Sequence, residues 1–142
     1  MHLNTYIFFT GQCKEAFEFY AKVLGGKIEM MLPHAGSPAE QQVAPEWRDK
    51  ILHARLLIGD NVLMASDAPP GRQSKTGGYA VNISLNDPAE GERIFRALEE
   101  SGTVIMPYSE TFWAVRYGML ADRFGITWMV NVEKPAERAA SN

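Results

Sequence analysis

Apolar positions along this chain fall into short dense runs separated by two stripes of helical spacing. From Leu3 to Phe9 the residues are β-branched and aromatic, which predicts a strand ending before a glycine. Beyond it Ala16, Phe17, Phe19, Tyr20, Val23 and Leu24 recur at three- and four-residue intervals, with Lys14, Glu15, Glu18 and Lys22 on the other side. That is the pattern of a helix with one buried face. Gly25-Gly26 stops it, because glycine readily takes the left-handed conformation of a helix C-cap. Lys27 to Leu32 predicts a short strand. From Pro33 to Asp49 only Val43 and Trp47 are large and apolar, so a long surface loop is expected. Ile51 to Ile58 and Asn61 to Ser66 follow as strands joined by a Gly59-Asp60 hairpin turn.

Asp67 to Gly78 holds two prolines and three glycines and no large apolar residue, the composition of a linker. The same order of elements then begins again. Tyr79 to Asn86 predicts a strand, and Asp87-Pro88-Ala89-Glu90 sets an N-cap, a first-turn proline and a capping-box Glu in register. Ile94, Phe95 and Leu98 form the helix stripe, Gly102 closes it, and strands follow at Thr103 to Pro107, Phe112 to Ala121 and Ile126 to Val132. Asp122 to Gly125 is the last turn, and Pro135 to Asn142 is expected to fray. Gly25 and Gly102 are 77 residues apart and Met64 and Met129 are 65 apart, the difference being taken up by the longer Pro33 to Asp49 loop. The expected fold is α+β: one domain made of a βαβββ module over residues 1–67, a linker over 68–78 and a second βαβββ module over 79–134. Each module leaves one sheet face uncovered by its helix, so the two are expected to pair into a curved, mainly antiparallel sheet around a cleft.

Composition narrows the function classes. A chain of 142 residues with 46% hydrophobic and 22% charged residues has the balance of a single folded domain with a sizeable core. Fourteen basic against 17 acidic residues, with no lysine or arginine run, argue against nucleic acid or an anionic membrane as partner. No apolar run is long enough for a membrane span, and the N-terminus lacks the basic and apolar regions of a secretory signal, so the expected location is cytoplasmic. The lone Cys13 removes an intramolecular disulfide framework and a cysteine-cluster zinc site. At a helix start its thiol is expected to be somewhat acidified, in a structural role.

Paired βαβββ modules resemble the vicinal oxygen chelate superfamily, which includes glyoxalase I, extradiol dioxygenases and bleomycin-resistance proteins. Its PhnB-like branch is resembled by Tyr6-Ile7-Phe8-Phe9 with Gly11, by Glu15-Ala16-Phe17-Glu18-Phe19-Tyr20, by Leu24-Gly25-Gly26, and by His53-Ala54-Arg55-Leu56 leading to Leu63-Met64-Ala65-Ser66-Asp67. The most specific stretch is Glu110-Thr111-Phe112-Trp113, then Tyr117-Gly118, Asp122, Phe124-Gly125 and Trp128-Met129-Val130-Asn131. Some members of that branch carry a demethylubiquinone methyltransferase label. Here there is neither a glycine-rich nucleotide loop after a strand nor the length of a methyltransferase fold, which argues against that activity.

In metal-dependent members four His, Glu or Gln ligands project from the first and last strands of each module, and the resemblance lays those positions on Thr5, Met64, Ala80 and Met129. Neither threonine, alanine nor a thioether makes a divalent-metal site, so no metal and no cofactor are expected. The same holds if the alignment slips by one residue, to Tyr6 for instance.

Strand alternation then divides the faces. Tyr6 and Phe8 are expected against the helix, with Thr5, Ile7 and Phe9 toward the cleft. In the second module Val81, Ile83 and Leu85 are assigned to the helix side and Ala80, Asn82 and Ser84 to the cleft. Trp128 and Val130 likewise oppose Thr127, Met129 and Asn131, and Leu52, Ala54 and Leu56 oppose His53, Arg55 and Leu57. The expected binding wall is an Arg55-His53 polar end, Asn82 and Asn131 as neutral hydrogen-bonding groups, and Met64, Met129 and Trp113 as apolar lining. Such a wall suits a small polar or anionic organic ligand, with Arg55 as anchor. The plainer alternative is that His53 and Arg55 are satisfied by Asp67 or Glu110 in a structural network. Glu110 and Asp67 are also the candidates for a catalytic base, and no Ser-His-Asp or Cys-His arrangement is found. The function expected is binding, with or without transformation, of a small molecule. The alternatives are a metal-dependent lyase, isomerase or dioxygenase whose ligands lie elsewhere, and a drug-sequestering resistance protein. The resemblance also implies a homodimer that partly covers Trp47, Trp113 and Tyr117.

Overall fold

Five pairs of elements, each pair matched in length, run through the chain. A computed structural model describes residues 1–135, so residues 136–142 of the expected frayed tail lie outside the described residues. The first of two compact units spans residues 1–75 and the second begins at Thr76. Unit 1 holds β1 (Thr5–Phe9), α1 (Cys13–Leu24), β2 (Lys27–Pro33), β3 (Ile51–Ile58) and β4 (Asn61–Asp67). Unit 2 holds β5 (Val81–Leu85), α2 (Pro88–Glu99), β6 (Thr103–Ser109), β7 (Ala114–Ala121) and β8 (Thr127–Glu133). The sheets have orders β1-β4-β3-β2 and β5-β8-β7-β6, and in each the first pair is parallel and the other two antiparallel. The α+β, twice-repeated βαβββ reading stands. No helix among the described residues is long and apolar enough to cross a membrane.

In unit 1, α1 buries Cys13, Ala16, Phe17, Tyr20 and Val23 against a sheet face made of Ile7, Phe9, Ala54, Leu56, Leu63 and Ala65. Each of the large apolar side chains among them, such as Phe17, Ile7, Phe9, Leu56 and Leu63, contributes roughly 1.5–3 kcal/mol when taken out of water. The Phe17 and Tyr20 rings meet Phe9 at centroid distances of 6.2 and 6.5 Å. This reverses the expected faces of the first strand: Ile7 and Phe9 face the helix, whereas Tyr6 and Phe8 lie on the other side. The cause is that Tyr6-Ile7-Phe8-Phe9 is apolar at every position, so alternation offers no choice. On the uncovered side the Tyr6 hydroxyl meets His53 Nδ1 at 3.1 Å.

Gly25 takes φ 68° at the end of α1, and Gly26 N–H returns to the Ala21 carbonyl at 2.8 Å, as the cap requires. The close of α2 differs from expectation. Ser101 takes the left-handed turn (φ 58°), and Gly102 is small because a Cβ there would meet the Ala121 carbonyl oxygen. Three strands begin about two residues later than the apolar runs do, at Thr5, Val81 and Ala114, the first residues to find ladder partners, in Leu63, Trp128 and Glu133. The segment 33–49 is less irregular than a bare loop, with single 3₁₀ turns at Glu40–Gln42 and Pro45–Trp47.

Candidate functional site

Residues paired in register share a sheet face, which fixes what lies opposite α1. Tyr6 pairs with Met64, Met64 with Arg55, Arg55 with Met30, and His53 with Leu32, while Phe8 pairs with Ser66. The uncovered face of unit 1 therefore carries Tyr6, His53, Arg55 and Met64 together. The Tyr6 hydroxyl lies 3.1 Å from His53 Nδ1 and the two rings stack at 5.7 Å. Arg55 donates from Nε to Glu29 Oε2 at 2.9 Å and from Nη1 to Met64 Sδ at 3.6 Å. The network expected around Arg55 and His53 thus exists with different members: Glu29 and Tyr6 take the places assigned to Asp67 and Glu110. Arg55 and Glu29 are 33% and 46% exposed, so their ion pair contributes at most about 1 kcal/mol. It nevertheless matches the guanidinium charge, and an anion seeking Arg55 meets Glu29 first.

Where β1 and β4 run out, this face opens into a cavity of about 430 Å³, within the range of small-molecule sites. Phe8, Leu52 and Ser66 come from the strands. His34, Ala39, Gln42 and Val43 come from the segment after β2, Asp67 from the end of β4, and Ala68 to Pro70, Arg72 and Ser74 from the segment after it. The stretch expected to be a bare linker is therefore a wall. It is pinned by Ala68 N–H to the Phe9 carbonyl (2.8 Å), Arg72 N–H to the Pro69 carbonyl (3.0 Å) and Gln73 Nε2 to the Ala68 carbonyl (3.0 Å). His34 is 4% exposed, and its Nδ1 sits 3.0 Å from the Lys50 carbonyl oxygen. A carbonyl only accepts, so Nδ1 donates here, and Nε2 is the ring nitrogen not engaged by the chain. Sequence reasoning missed His34. Its only signal was a histidine in a segment otherwise of small and polar residues.

Of the candidates named from sequence, only Asp67 lines this cavity, and it is fully committed. Its Oδ1 accepts from Gly11 N–H (2.9 Å) and Cys13 N–H (3.0 Å), and its Oδ2 from Ile51 N–H (2.9 Å). Gln12, the N-cap residue, makes no capping bond, so the carboxylate of β4 caps α1 from across the sheet and complements the positive end of the helix dipole. Asp67 thus staples the start of α1 and the start of β3 to the end of β4. Glu110 is exposed between β6 and β7. The acidified Cys13 is also corrected: burial and the neighbouring Asp67 carboxylate push its thiol well above the ordinary range, outweighing the helix terminus. Alkylation of Cys13 by iodoacetamide at pH 8 is accordingly expected to be negligible in the folded chain and rapid in denaturant. Fast labelling of native protein would contradict this burial.

In unit 2 the uncovered strand positions follow the expected alternation for β5 and β8. Asn82 pairs with Met129 and donates from Nδ2 to Ser84 Oγ at 2.8 Å, and Ser84 pairs with Asn131. Asn131 Oδ1 is buried with no donor. Trp113 packs edge-on against Phe112 (4.8 Å) and Tyr117 (5.3 Å), in an aromatic cluster whose Phe112 is 87% exposed.

The same registers show what lies beside two of the positions that the resemblance implies for a metal. Met64 has Tyr6, not Thr5, beside it on β1, and Met129 has Asn82 beside it on β5, whereas Ala80 precedes that strand. Neither a phenol beside a thioether in unit 1 nor a carboxamide beside a thioether in unit 2 offers a ligand set to a hard or borderline divalent cation. Among the described residues no three His, Cys, Asp or Glu side chains converge elsewhere.

Two βαβββ units of identical strand order define the class, and the chain belongs to the Glyoxalase/Bleomycin resistance protein/Dioxygenase superfamily, whose family model matches residues 2–130. It is 32% identical to protein YjdN of Escherichia coli K12 over 142 residues, covering 94% of this chain and 97% of that protein. The crystal structure of protein PA1353 from Pseudomonas aeruginosa shares 45% identity at a TM-score of 0.86, covering 94% of this chain and 98% of that one. The PhnB protein from Bacillus cereus matches at 0.79 over 93% and 99% of the two chains, with 18% identity that speaks for the fold alone.

Proposed function

We propose that this chain is a PhnB-like member of the superfamily that binds a small polar or anionic organic molecule on the uncovered face of unit 1, without the divalent metal of the family's metal-dependent enzymes. The observation that carries the reading is the continuity of that face, with its half-buried Tyr6, His53, Arg55 and Met64, into a cavity of about 430 Å³. The donor chemistry at the register-matched positions supports the absence of a metal role. Binding rather than turnover is favoured, since Asp67 is held by three backbone N–H groups and Glu110 stands in the open.

A thermal-shift screen of small organic acids, alcohols and amines on chelator-treated protein tests this, because a ligand of the native state raises apparent stability by about 2.7 kcal/mol at a hundred times its Kd. Stabilisation by small polar compounds with no divalent ion present is the expected result. Stabilisation by a divalent ion alone, at one equivalent, would return the protein to the metal-dependent class, and stabilisation only by large cationic drugs would point to sequestration. We further infer a homodimer, supported by the exposed Val104, Ile105 and Met106 of edge strand β6 and by Phe112. Light scattering at micromolar concentration is expected to give twice the 15.8 kDa chain mass, and a monomer would refute it.

A further inference from the structure

Several polar groups that line the unit 1 cavity, Gln42 and Ser74 among them, have hydrogen-bonding capacity unused among the described residues, and three of them bear on the ligand. His34 Nε2, an acceptor in the neutral ring, has no partner among the described residues. The Ser66 hydroxyl, on a side chain nine-tenths buried, makes no protein hydrogen bond among the described residues. Arg72 lies at the exposed end of the wall, and its guanidinium meets no carboxylate among the described residues, whereas Arg55, Arg93 and Arg96 are each ion-paired. The same cavity is also lined by the apolar Phe8 and Leu52. An acceptor on a cavity wall with no protein donor is open to a ligand hydroxyl, and a free guanidinium selects a planar carboxylate.

We propose that this cavity takes an organic hydroxy acid: a hydroxyl that donates to His34 Nε2 beside Ser66, an apolar skeleton against Phe8 and Leu52, and a carboxylate held by Arg72. The polarity of the ligand follows from the wall. Asp67 disfavours an anion at the buried end, although its oxygens are turned to three backbone N–H groups, so the carboxylate belongs at the Arg72 end. This deepens the small-molecule reading above and rests on it, but it assigns the anchoring role to Arg72 instead of Arg55.

Calorimetric titration of the intact chain with 4-hydroxybenzoate, benzoate and phenol tests the assignment. The hydroxy acid is expected to bind about tenfold or more tighter than either deletion. Arg72→Gln is expected to remove the preference over phenol, and His34→Asn, which keeps a donor toward the Lys50 carbonyl, to remove the preference over benzoate. Leu52→Trp, which fills the cavity, should abolish binding of all three with the circular dichroism spectrum intact, and it serves if His34→Asn does not fold. Equal affinities for the three probes, or no binding of 4-hydroxybenzoate at millimolar concentration, would overturn the proposal. So would binding that survives Leu52→Trp and is lost in Arg55→Met. In each of these cases the broader reading is judged separately, by whether any compound of the thermal-shift screen binds. If none does, both fall.

Discussion

Replacing Asp67 with alanine is expected to destabilise the chain by about 3–5 kcal/mol, the loss reserved for a buried charge that holds several partners. The carboxylate is 2% exposed and accepts from Gly11, Cys13 and Ile51. Removing it strands three N–H groups at once, at the start of α1 and the start of β3, and leaves the positive end of the helix uncompensated. Domains are stable by only about 5–15 kcal/mol, so this one side chain carries a large share of the margin. Asp67→Asn keeps one acceptor oxygen but turns a second donor toward existing donors, and a smaller loss of about 1–3 kcal/mol is expected. Urea unfolding measures both through the midpoint. An alanine variant within about 0.5 kcal/mol of the parent would remove the staple role and reopen Asp67 as a free carboxylate.

Unit 2 has its own staple, and the second large effect is expected there. Asp122 accepts at Oδ1 from Phe124 N–H (2.9 Å) and Ile126 N–H (3.0 Å), closing the turn from β7 to β8, and at Oδ2 from Trp128 Nε1 (2.9 Å). Trp128 is the largest fully buried side chain. Trp128→Ala removes that indole volume and the N–H that orients the turn carboxylate, and a loss of about 3–5 kcal/mol is expected. Trp128→Phe retains most of the volume, so about 1–2 kcal/mol separates the hydrogen bond from the packing. Equal losses for the two variants would show that the hydrogen bond, not the volume, dominates.

The contrast between these two carboxylates explains what the sequence discloses. Asp122 bonds within six residues of itself, and Asp122 to Gly125 was recognisable as a turn from local composition. Asp67 bonds to residues 56, 54 and 16 positions away, a relation that no spacing announces. The repeat was legible because helix stripes, caps and the Met64 and Met129 landmarks recur in the same order in both halves. The face of β8 was legible because Trp128, Met129, Val130 and Asn131 alternate, whereas the uniformly apolar β1 was not.

The partner of Arg55 was hidden for a different reason. Glu29 and Arg55 meet across β2 and β3, whose connection runs from His34 to Lys50, and a loop of that length does not fix register as a two-residue turn does. The cavity suffered most, since its walls are built from the two segments of lowest apolar content, set aside as loop and linker. Those segments close over the strand ends through backbone bonds, which composition does not encode.

Methionine methyl groups report on the central claim most directly, because the chain has seven and they are distributed over both units. Met64 lies on the uncovered face of unit 1 beside Tyr6 and Arg55, and Met30 pairs with Arg55, whereas Met106, Met119 and Met129 belong to unit 2. In ¹³C-methyl spectra of metal-free protein, a small polar ligand from the thermal-shift screen is expected to shift Met64 and leave Met106 and Met119 in place. Ligand binding that moves Met106 or Met119 while Met64 stays in place, or that requires one equivalent of a divalent cation before any methyl responds, would contradict the account.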